Sequence, residues 1–281
     1  MGGLVVVGAD GSASSLAAVE TAAMEAAWRG AALRVVHAFL WPAMHVPLGP
    51  SGLGPPEGGL RNAARRVVAE AVERARSVVP DVDVTHAVVT GEPLTVLEAQ
   101  SRAAELVVVG SRGMGGFVGL LLGSTAVHLA AHGQCPVMVV SERPSAGGPV
   151  LLGVDGSPAG ADAVGFAFTE AALRGADLLA LHAGPHAAGE PGEATRAGER
   201  LVAEAVAERR EDHPGVTVRT KAVRGGTRET LIEESRTAQL LVVGARGRGG
   251  FAGLVLGSVS QALLHHAHCP VAVVRGSLAA R

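Results

Sequence analysis

The sequence predicts an α/β fold built from two tandem doubly wound domains, each with a parallel sheet. Short apolar segments alternate with longer helical segments along the chain, which is the pattern of a parallel sheet with right-handed helical crossovers. The chain also repeats itself, because GADGS at residues 8–12 returns as GVDGS at residues 153–157. Strand-like runs such as residues 106–109 are apolar throughout, as expected when helices cover both faces of a sheet.

The first repeat supplies the elements of one domain in chain order. We predict strands at residues 4–9, 33–39, 83–89, 105–110 and 136–141, and helices at residues 12–28, 60–79, 93–102 and 124–132. The first helix has apolar residues at Leu16, Val19, Ala23 and Ala27. This spacing places the four side chains on one helical face and predicts an amphipathic helix.

The two repeats predict domains at residues 1–143 and 149–281, joined by a short linker. The GADGS segment returns after 145 residues, whereas later segments return after 134. The first repeat is therefore longer between its second and third strands. Residues 40–59 are rich in proline and glycine and account for the difference. We interpret them as a surface loop, with a lid over a ligand as the alternative.

The composition is that of a globular protein, with 48% hydrophobic and 18% charged residues. A net charge of −2 argues against a nucleic-acid-binding surface, which needs a basic excess. No apolar run reaches the roughly 18 residues of a membrane span, and the N-terminus resembles no signal peptide. Cys135 and Cys269 occupy matching places in the repeats and are expected to stay thiols in a reducing compartment. We therefore expect a cytoplasmic protein.

The segment GSRGMGGFVGLLLGS at residues 110–124 carries the strongest functional signal. It follows an apolar strand and leads into a helical segment. Backbone amides and a helix N-terminus, both of which bind anions, are thereby placed at the end of a buried strand. The segment returns as GARGRGGFAGLVLGS at residues 244–258, and residues 106–124 match residues 240–258 at 14 of 19 positions. The sequence thus predicts two phosphate-binding loops with the spacing Gly-x2-Gly-x9-Gly-Ser.

Asp10 and Asp155 follow the first strand of each repeat. Ser12 and Ser157 are expected to cap the helices that come next, and Pro158 after Ser157 supports a helix start there. The two carboxylates are then not needed as caps. Because ligands of such sheets bind at the carboxyl ends of the strands, we interpret both carboxylates as acceptors for ribose or adenine groups.

Other residue patterns predict less. His37 and His182 lie inside strands and are interpreted as hydrogen-bonded core histidines. The glycine segments lack the GxxxxGK[ST] pattern, and no GxGxxG follows the first strand, which argues against a Walker-type loop and a dinucleotide site.

Charged and titratable side chains complete the prediction. Loop arginines that either screen phosphate or face solvent are Arg112, Arg246 and Arg248. Helix carboxylates expected on solvated faces are Glu98, Glu229 and Glu233. The pairs His128 with His132 and His265 with His268 have no accompanying carboxylate or cysteine cluster, so we expect no metal site in the protein itself.

The doubled glycine spacing and the two aspartates resemble the ATP-binding, tandem form of the universal stress protein family, over essentially the whole chain. The resemblance implies an adenine nucleotide α-hydrolase-like sheet of strand order 3-2-1-4-5 and ATP, with Mg²⁺, in each repeat. It also implies pairing of the fifth strands in an intrachain pseudo-dimer, with a homodimer of chains as a further option. The implied adenosine contacts are Ala9, Asp10, Ala38 and Val109, with Val154, Asp155, Ala183 and Val243 in the second repeat. The implied phosphate contacts are Gly110, Gly113, Gly123, Ser124 and Thr125, with Gly244, Gly247, Gly257, Ser258 and Val259.

The repeats depart from one another after the motif serine. A hydroxyl that this family often has two residues later is Ala126 in the first repeat and Ser260 in the second, whereas Thr125 in the first repeat is matched by Val259. The two sites are therefore expected to differ in affinity.

The sequence favours a binding and signalling module, in which ATP occupancy sets a conformation that an unidentified protein partner reads. No catalytic base, nucleophile or arginine finger is identified. The alternative is a slow ATPase or nucleotidyl-transfer enzyme of the related fold, which would have an SGGxDS-like loop where this chain has GADGS and GVDGS. A flavin-binding domain is the third option, disfavoured by the 2% aromatic content.

Overall fold

The computed structural model describes residues 2–39, 56–113, 122–141, 147–157, 160–184, 191–247 and 255–276. Most of the predicted loop at residues 40–59, and Arg248, lie outside these residues. Contacts divide the chain into two compact units, residues 1–129 and 130–281. In the described part of the chain, no helix has the length and hydropathy needed to cross a membrane.

The first unit contains a parallel sheet of order β3-β2-β1-β4. Its elements in chain order are β1 (Leu4–Gly8), α1 (Ala13–Arg29), β2 (Ala32–Phe39), α2 (Pro56–Val78), β3 (Val84–Thr90), α3 (Pro93–Ser101), β4 (Leu106–Gly110) and α4 (Ser124–His132), whose last turn crosses into the second unit. The bounds agree with the predicted ones to within two residues, except at α2. That helix begins at Pro56 rather than at residue 60, because proline is favourable in the first turn, where its missing N–H is not needed.

The second unit contains the order β5-β10-β9-β6-β7-β8. Its elements are β5 (Val137–Val140), β6 (Val150–Gly153), α5 (Ala161–Arg174), β7 (Leu178–Gly184), α6 (Pro191–Asp212), β8 (Val218–Arg224), α7 (Thr227–Glu234), β9 (Leu240–Gly244), α8 (Ser258–His266) and β10 (Val271–Val274). Strands β6 to β10 pair in parallel. Counted within the second repeat, they have the order 3-2-1-4-5, so the predicted α/β fold is confirmed.

Strand β5 belongs to the first repeat by sequence but lies in the second unit, where it pairs with β10. The pairing is antiparallel, with Val137 opposite Val273 and Val139 opposite Val271. All four residues of both strands are buried, as expected when apolar edge strands cover each other. The predicted pairing of the fifth strands is confirmed, while the wider pseudo-dimer arrangement stays a prediction.

Helix α1 packs through a face that differs from the predicted stripe. Val19 and Ala23 are fully buried, but Ala27 is exposed and Leu16 is half-buried. The buried face is completed by small residues, among them Ala18. The prediction failed at both ends of the stripe because alanines occur on every side of this helix, so apolarity alone does not define its face.

The turn between β1 and α1 depends on Gly11, whose φ of 87° is in the region that glycine tolerates best. Ser12 then caps α1 as predicted, its side chain accepting a hydrogen bond from the Ser15 amide. The prediction for Ser157 is wrong in its helix start, because α5 begins only at Ala161. The Ser157 hydroxyl nevertheless accepts a hydrogen bond from the Gly160 amide at 3.2 Å.

The two cysteines differ in their surroundings and form no disulfide with each other. Cys269 is buried, and this burial raises the pKa of its thiol to about 12, whereas Cys135 is half-buried. Because only the thiolate reacts, we expect iodoacetamide at pH 8 to label Cys135 at least about tenfold faster than Cys269, and Cys269 labelling to rise as the pH approaches 12. Mass spectrometry of the native protein measures both rates. Equal rates in urea are the control, and equal rates in the native protein would contradict the prediction.

Candidate functional site

A cavity of about 520 Å³ opens at the carboxyl ends of the first unit's strands, a volume typical of small-molecule sites. The ends of β1, β2 and β4 and the start of α4 border it. All nine residues predicted for the first repeat line this cavity: Ala9, Asp10, Ala38, Val109, Gly110, Gly113, Gly123, Ser124 and Thr125. Parallel strands bring these distant segments together because their carboxyl ends share one edge of the sheet.

The second unit has a matching cavity of about 560 Å³. Its walls come from β6, β7 and β9 and from the start of α8. The nine residues predicted for the second repeat all line it: Val154, Asp155, Ala183, Val243, Gly244, Gly247, Gly257, Ser258 and Val259. The two cavities therefore repeat the same constellation on the same elements.

Each glycine segment is closed at its base by one backbone hydrogen bond. The Gly123 amide donates to the Ser111 carbonyl at 2.7 Å, and the Gly257 amide donates to the Ala245 carbonyl at 2.8 Å. Gly257 occupies the N-cap position of α8 and Ser258 is its first residue, so Ser258 is not the cap. Ser124 and Ser258 are exposed at the first positions of their helices, where backbone N–H groups are available to an anion.

The carboxylate of Asp10 organises the turn as well as lining the cavity. Its Oδ1 accepts hydrogen bonds from the Ser12 amide at 3.0 Å and from the Ser12 hydroxyl at 2.6 Å. Asp155 accepts the same two bonds from Ser157, at 3.0 and 2.8 Å. Ser12 is the N-cap of α1, so Asp10 is not its cap, as predicted, but Oδ1 of each aspartate fixes the turn that follows the first strand of its repeat.

The glycines at the third position beyond each strand are required by close packing rather than by backbone conformation. Neither Gly113 nor Gly247 has a positive φ. A Cβ atom at Gly113 would lie 2.6 Å from Oδ2 of Asp10, and one at Gly247 would lie 2.7 Å from Oδ2 of Asp155. The turn aspartate and the glycine segment therefore touch, and glycine keeps the floor of each cavity open.

The strand histidines are hydrogen-bonded, as predicted, but they also line the cavities. Nδ1 of His37 donates to the Ala9 carbonyl, and Nδ1 of His182 donates to the Val154 carbonyl, each at 2.7 Å. A carbonyl partner can only accept, so Nδ1 of each ring carries a proton. Both bonds tie the end of the first strand to the second strand.

Sequence reasoning missed the contribution of α3 and α7. Pro93 and Leu97 line the first cavity, and Thr227, Arg228 and Leu231 line the second. Both helices follow the third strand of their repeat, so their starts border the same edge of the sheet. This position in the topology could have indicated from the sequence that the starts of both helices line the cavities.

The two cavities differ in side chains that reach backbone carbonyls. Ser260 is buried and donates to the Gly244 carbonyl at 2.8 Å, whereas Ala126 has no hydroxyl at the matching position. Thr227 donates to the Ala183 carbonyl at 2.7 Å, whereas Pro93, its counterpart in the first repeat, has no hydroxyl. The second cavity thus has two side-chain tethers to its wall that the first lacks.

Remaining charged residues lie as follows. Glu229 and Glu233 are exposed as predicted, but Glu98 pairs with His128 at 2.9 Å, so its assignment to a purely solvated face is wrong. Arg112 and Arg246 are exposed and line the two cavities. Within the described residues, no three histidine, cysteine or acidic side chains are grouped as a metal site.

Comparison with known proteins supports the repeat directly. The profile of the universal stress protein family matches residues 3–141 and again residues 148–275. The chain is 39% identical to a universal stress protein of Mycolicibacterium smegmatis, over 96% of both proteins, and 37% identical to one of Mycobacterium tuberculosis, over 97% of both. It also resembles the fold of a universal stress protein from Archaeoglobus fulgidus, with a TM-score of 0.72 at 20% identity, covering 99% of this chain and 98% of the other.

Proposed function

Because the chain belongs to the universal stress protein family, we propose that its two cavities bind ATP and that a protein partner reads their occupancy. The observation that carries this proposal is the repeated cavity, in which a pocket at the carboxyl ends of parallel strands ends in a glycine loop and a helix N-terminus. This combination suits a ligand that is flat and apolar at one end and anionic at the other.

The residues of each cavity fit the parts of ATP. In the first repeat, Ala9, Ala38 and Val109 offer an apolar wall for adenine. Asp10 is placed to accept from ribose hydroxyls, since a carboxylate oxygen accepts more than one hydrogen bond. The phosphates would lie at Gly113, at Gly123 and at the N-terminus of α4, where the first amides of the helix and its dipole favour negative charge. The second repeat offers the matching residues.

Magnesium would reach the site with the nucleotide. Mg²⁺ retains several waters and is commonly held by substrate phosphates with only one or two carboxylates. Asp10 and Asp155 are the carboxylates that line the two cavities among the described residues. A dedicated protein cage is therefore not needed for binding of the ATP–Mg²⁺ complex.

We infer a binding and signalling role rather than dedicated catalysis. In the first cavity His37 donates from Nδ1 to the Ala9 carbonyl, so the ring links the end of β1 to β2 while it lines the cavity. We propose that the protein is cytoplasmic, where ATP at millimolar concentration would be available to occupy both cavities.

Titration calorimetry with ATP and Mg²⁺ tests the proposal. We expect up to two ATP per chain, bound more tightly than NAD or FMN, because the loops offer anion contacts for one phosphate chain and no dinucleotide motif is present. Phosphate release from the same samples measures turnover, and fast turnover would favour the ATPase alternative. A folded sample that binds no ATP at millimolar concentration would overturn the proposal.

A further inference from the structure

Helix α1 holds the anion-binding loop of the first repeat through a buried serine. Ser14 is fully buried. Its hydroxyl donates to the carbonyl of Arg112 and accepts from the Arg112 amide, the latter at 3.3 Å. The Ser12 hydroxyl, whose proton goes to Asp10, lies 3.2 Å from the same carbonyl. The backbone N–H and C=O of Arg112, the residue before Gly113, are thereby hydrogen-bonded to a helix that lies nearly one hundred residues earlier in the sequence.

This contact, the Ser14 anchor, is made possible by a glycine on β4. A Cβ atom at Gly110 would lie 2.7 Å from the Ser14 carbonyl carbon, so any larger residue would push the first turn of α1 away from the strand end. The two hydrogen bonds are partly buried, and hydrogen bonds at a buried hydroxyl such as that of Ser14 are costly to lose. Gly110 therefore serves helix packing in addition to lining the cavity.

A second serine fixes the turn that faces the loop. The Ser15 hydroxyl accepts from the amides of Asp10 and Gly11, at 3.3 and 3.2 Å, and donates to the Ser12 carbonyl at 3.0 Å. The position of Asp10, which touches Gly113, is thus set by side-chain bonds rather than by ligand. Side-chain hydrogen bonds from α1 therefore hold both the turn that contains Asp10 and the loop that contains Arg112.

The second repeat lacks both serines. By the offset of 145 residues, Ser14 is matched by Ala159 and Ser15 by Gly160, and neither side chain has a hydroxyl. Helix α5 begins at Ala161, which corresponds to Leu16 in the first repeat. Helix α1 begins three residues before Leu16, at Ala13. The second loop keeps the backbone bond at its base that both repeats share, and it is held in addition by Arg246, whose Nε donates to the Val255 carbonyl at 3.3 Å, and by Ser260, which donates to the Gly244 carbonyl.

We propose that Ser14 is a positioning residue that orders the anion-binding loop of the first repeat before ligand arrives, so that the first cavity fills with ATP ahead of the second. The identity of the ligand rests on the proposed function. If the loop amides are already in place, their conformational entropy is not lost when the phosphates bind, and the binding free energy is more favourable by that amount. Arg228 gives the second cavity an additional cation, but it lies on α7 and not on the loop, so it does not order the loop.

Hydrogen–deuterium exchange tests the proposal because it reads the two loops separately in one chain. Without ligand, we expect the Arg112 amide to exchange roughly tenfold more slowly than the Arg246 amide, since it is hydrogen-bonded to a buried hydroxyl. With rising ATP and Mg²⁺, protection should appear first in the peptide containing Arg112. Ser14→Ala should remove the difference and raise the ATP concentration needed for protection of the first loop roughly five- to tenfold.

Ser101→Ala is the matched control. Ser101 is also buried and donates to a backbone carbonyl, that of Glu98 at 2.6 Å, but it lies at the end of α3. It should leave both loops unchanged, which separates loss of the anchor from loss of any buried hydroxyl.

The outcomes distinguish this inference from the proposed function. Equal exchange at Arg112 and Arg246, or exchange that Ser14→Ala does not alter, would overturn the anchor whether or not ATP binds. A difference that Ser14→Ala abolishes, in a protein that millimolar ATP does not protect, would uphold the anchor and overturn both ATP binding and the order of filling.

Discussion

Valine at position 113 is expected to weaken ATP binding at the first cavity by about 2 kcal/mol, a factor of about thirty, as if two charge-assisted hydrogen bonds were lost. The new Cβ would lie 2.6 Å from Oδ2 of Asp10, which Ser12 holds in place through Oδ1. Either the carboxylate or the glycine segment must move, and each lines the cavity. Calorimetry should show the stoichiometry fall from two ATP to one.

The second repeat provides the reciprocal test. Gly247→Val should remove the other site for the same reason, since its Cβ would lie 2.7 Å from Oδ2 of Asp155. Gly215→Val is the control, because Gly215 has no atom within 4 Å of an added Cβ and no positive φ. A folded Gly113→Val protein that still bound two ATP with unchanged affinity would place the ligand elsewhere.

Aspartate in place of Val137 should destabilise the protein by at least about 4 kcal/mol, the range of the most severe substitutions. Val137 is 1% exposed and lies opposite Val273 in the antiparallel pairing of β5 with β10. A carboxylate there would lose its hydration without gaining a partner on either strand. Urea unfolding followed by circular dichroism measures the free energy of unfolding, and the midpoint should shift to a lower urea concentration.

Val88→Asp is the matched control for that experiment. Val88 is also a strand valine, but it is 39% exposed on β3, so its substitution should change the stability by less than about 1 kcal/mol. If Val137→Asp unfolded at the same urea concentration as Val88→Asp, the burial of β5 against β10 would be contradicted.

The sequence determined the elements and the composition of the site to a large extent. Apolar runs bounded by glycine placed β1 and β4 within a residue of their observed ends, because strands buried on both faces tolerate few polar residues. The eighteen predicted site residues all line the two cavities. This followed from topology, since segments after parallel strands must meet at one edge of the sheet. Whether they bind ATP stays a prediction.

Tertiary structure decided what local pattern cannot encode. The buried face of α1 depends on which alanines meet the sheet, and alanines on several sides give no unique period. Glu170 is fully buried because Arg174 pairs with it at 2.9 Å, although an isolated glutamate would be placed on the surface.

The same limit applies at the cavity. Glycine is required at position 113 by contact with the carboxylate of Asp10, not by a positive φ. Ser14 looks like an ordinary first-turn serine, yet it bonds to Arg112, 98 residues later in the chain. Sequence fixes period and local conformation through short-range sterics and hydrogen bonding, whereas contacts between residues far apart in the chain exist only once the sheet has brought them to the same edge.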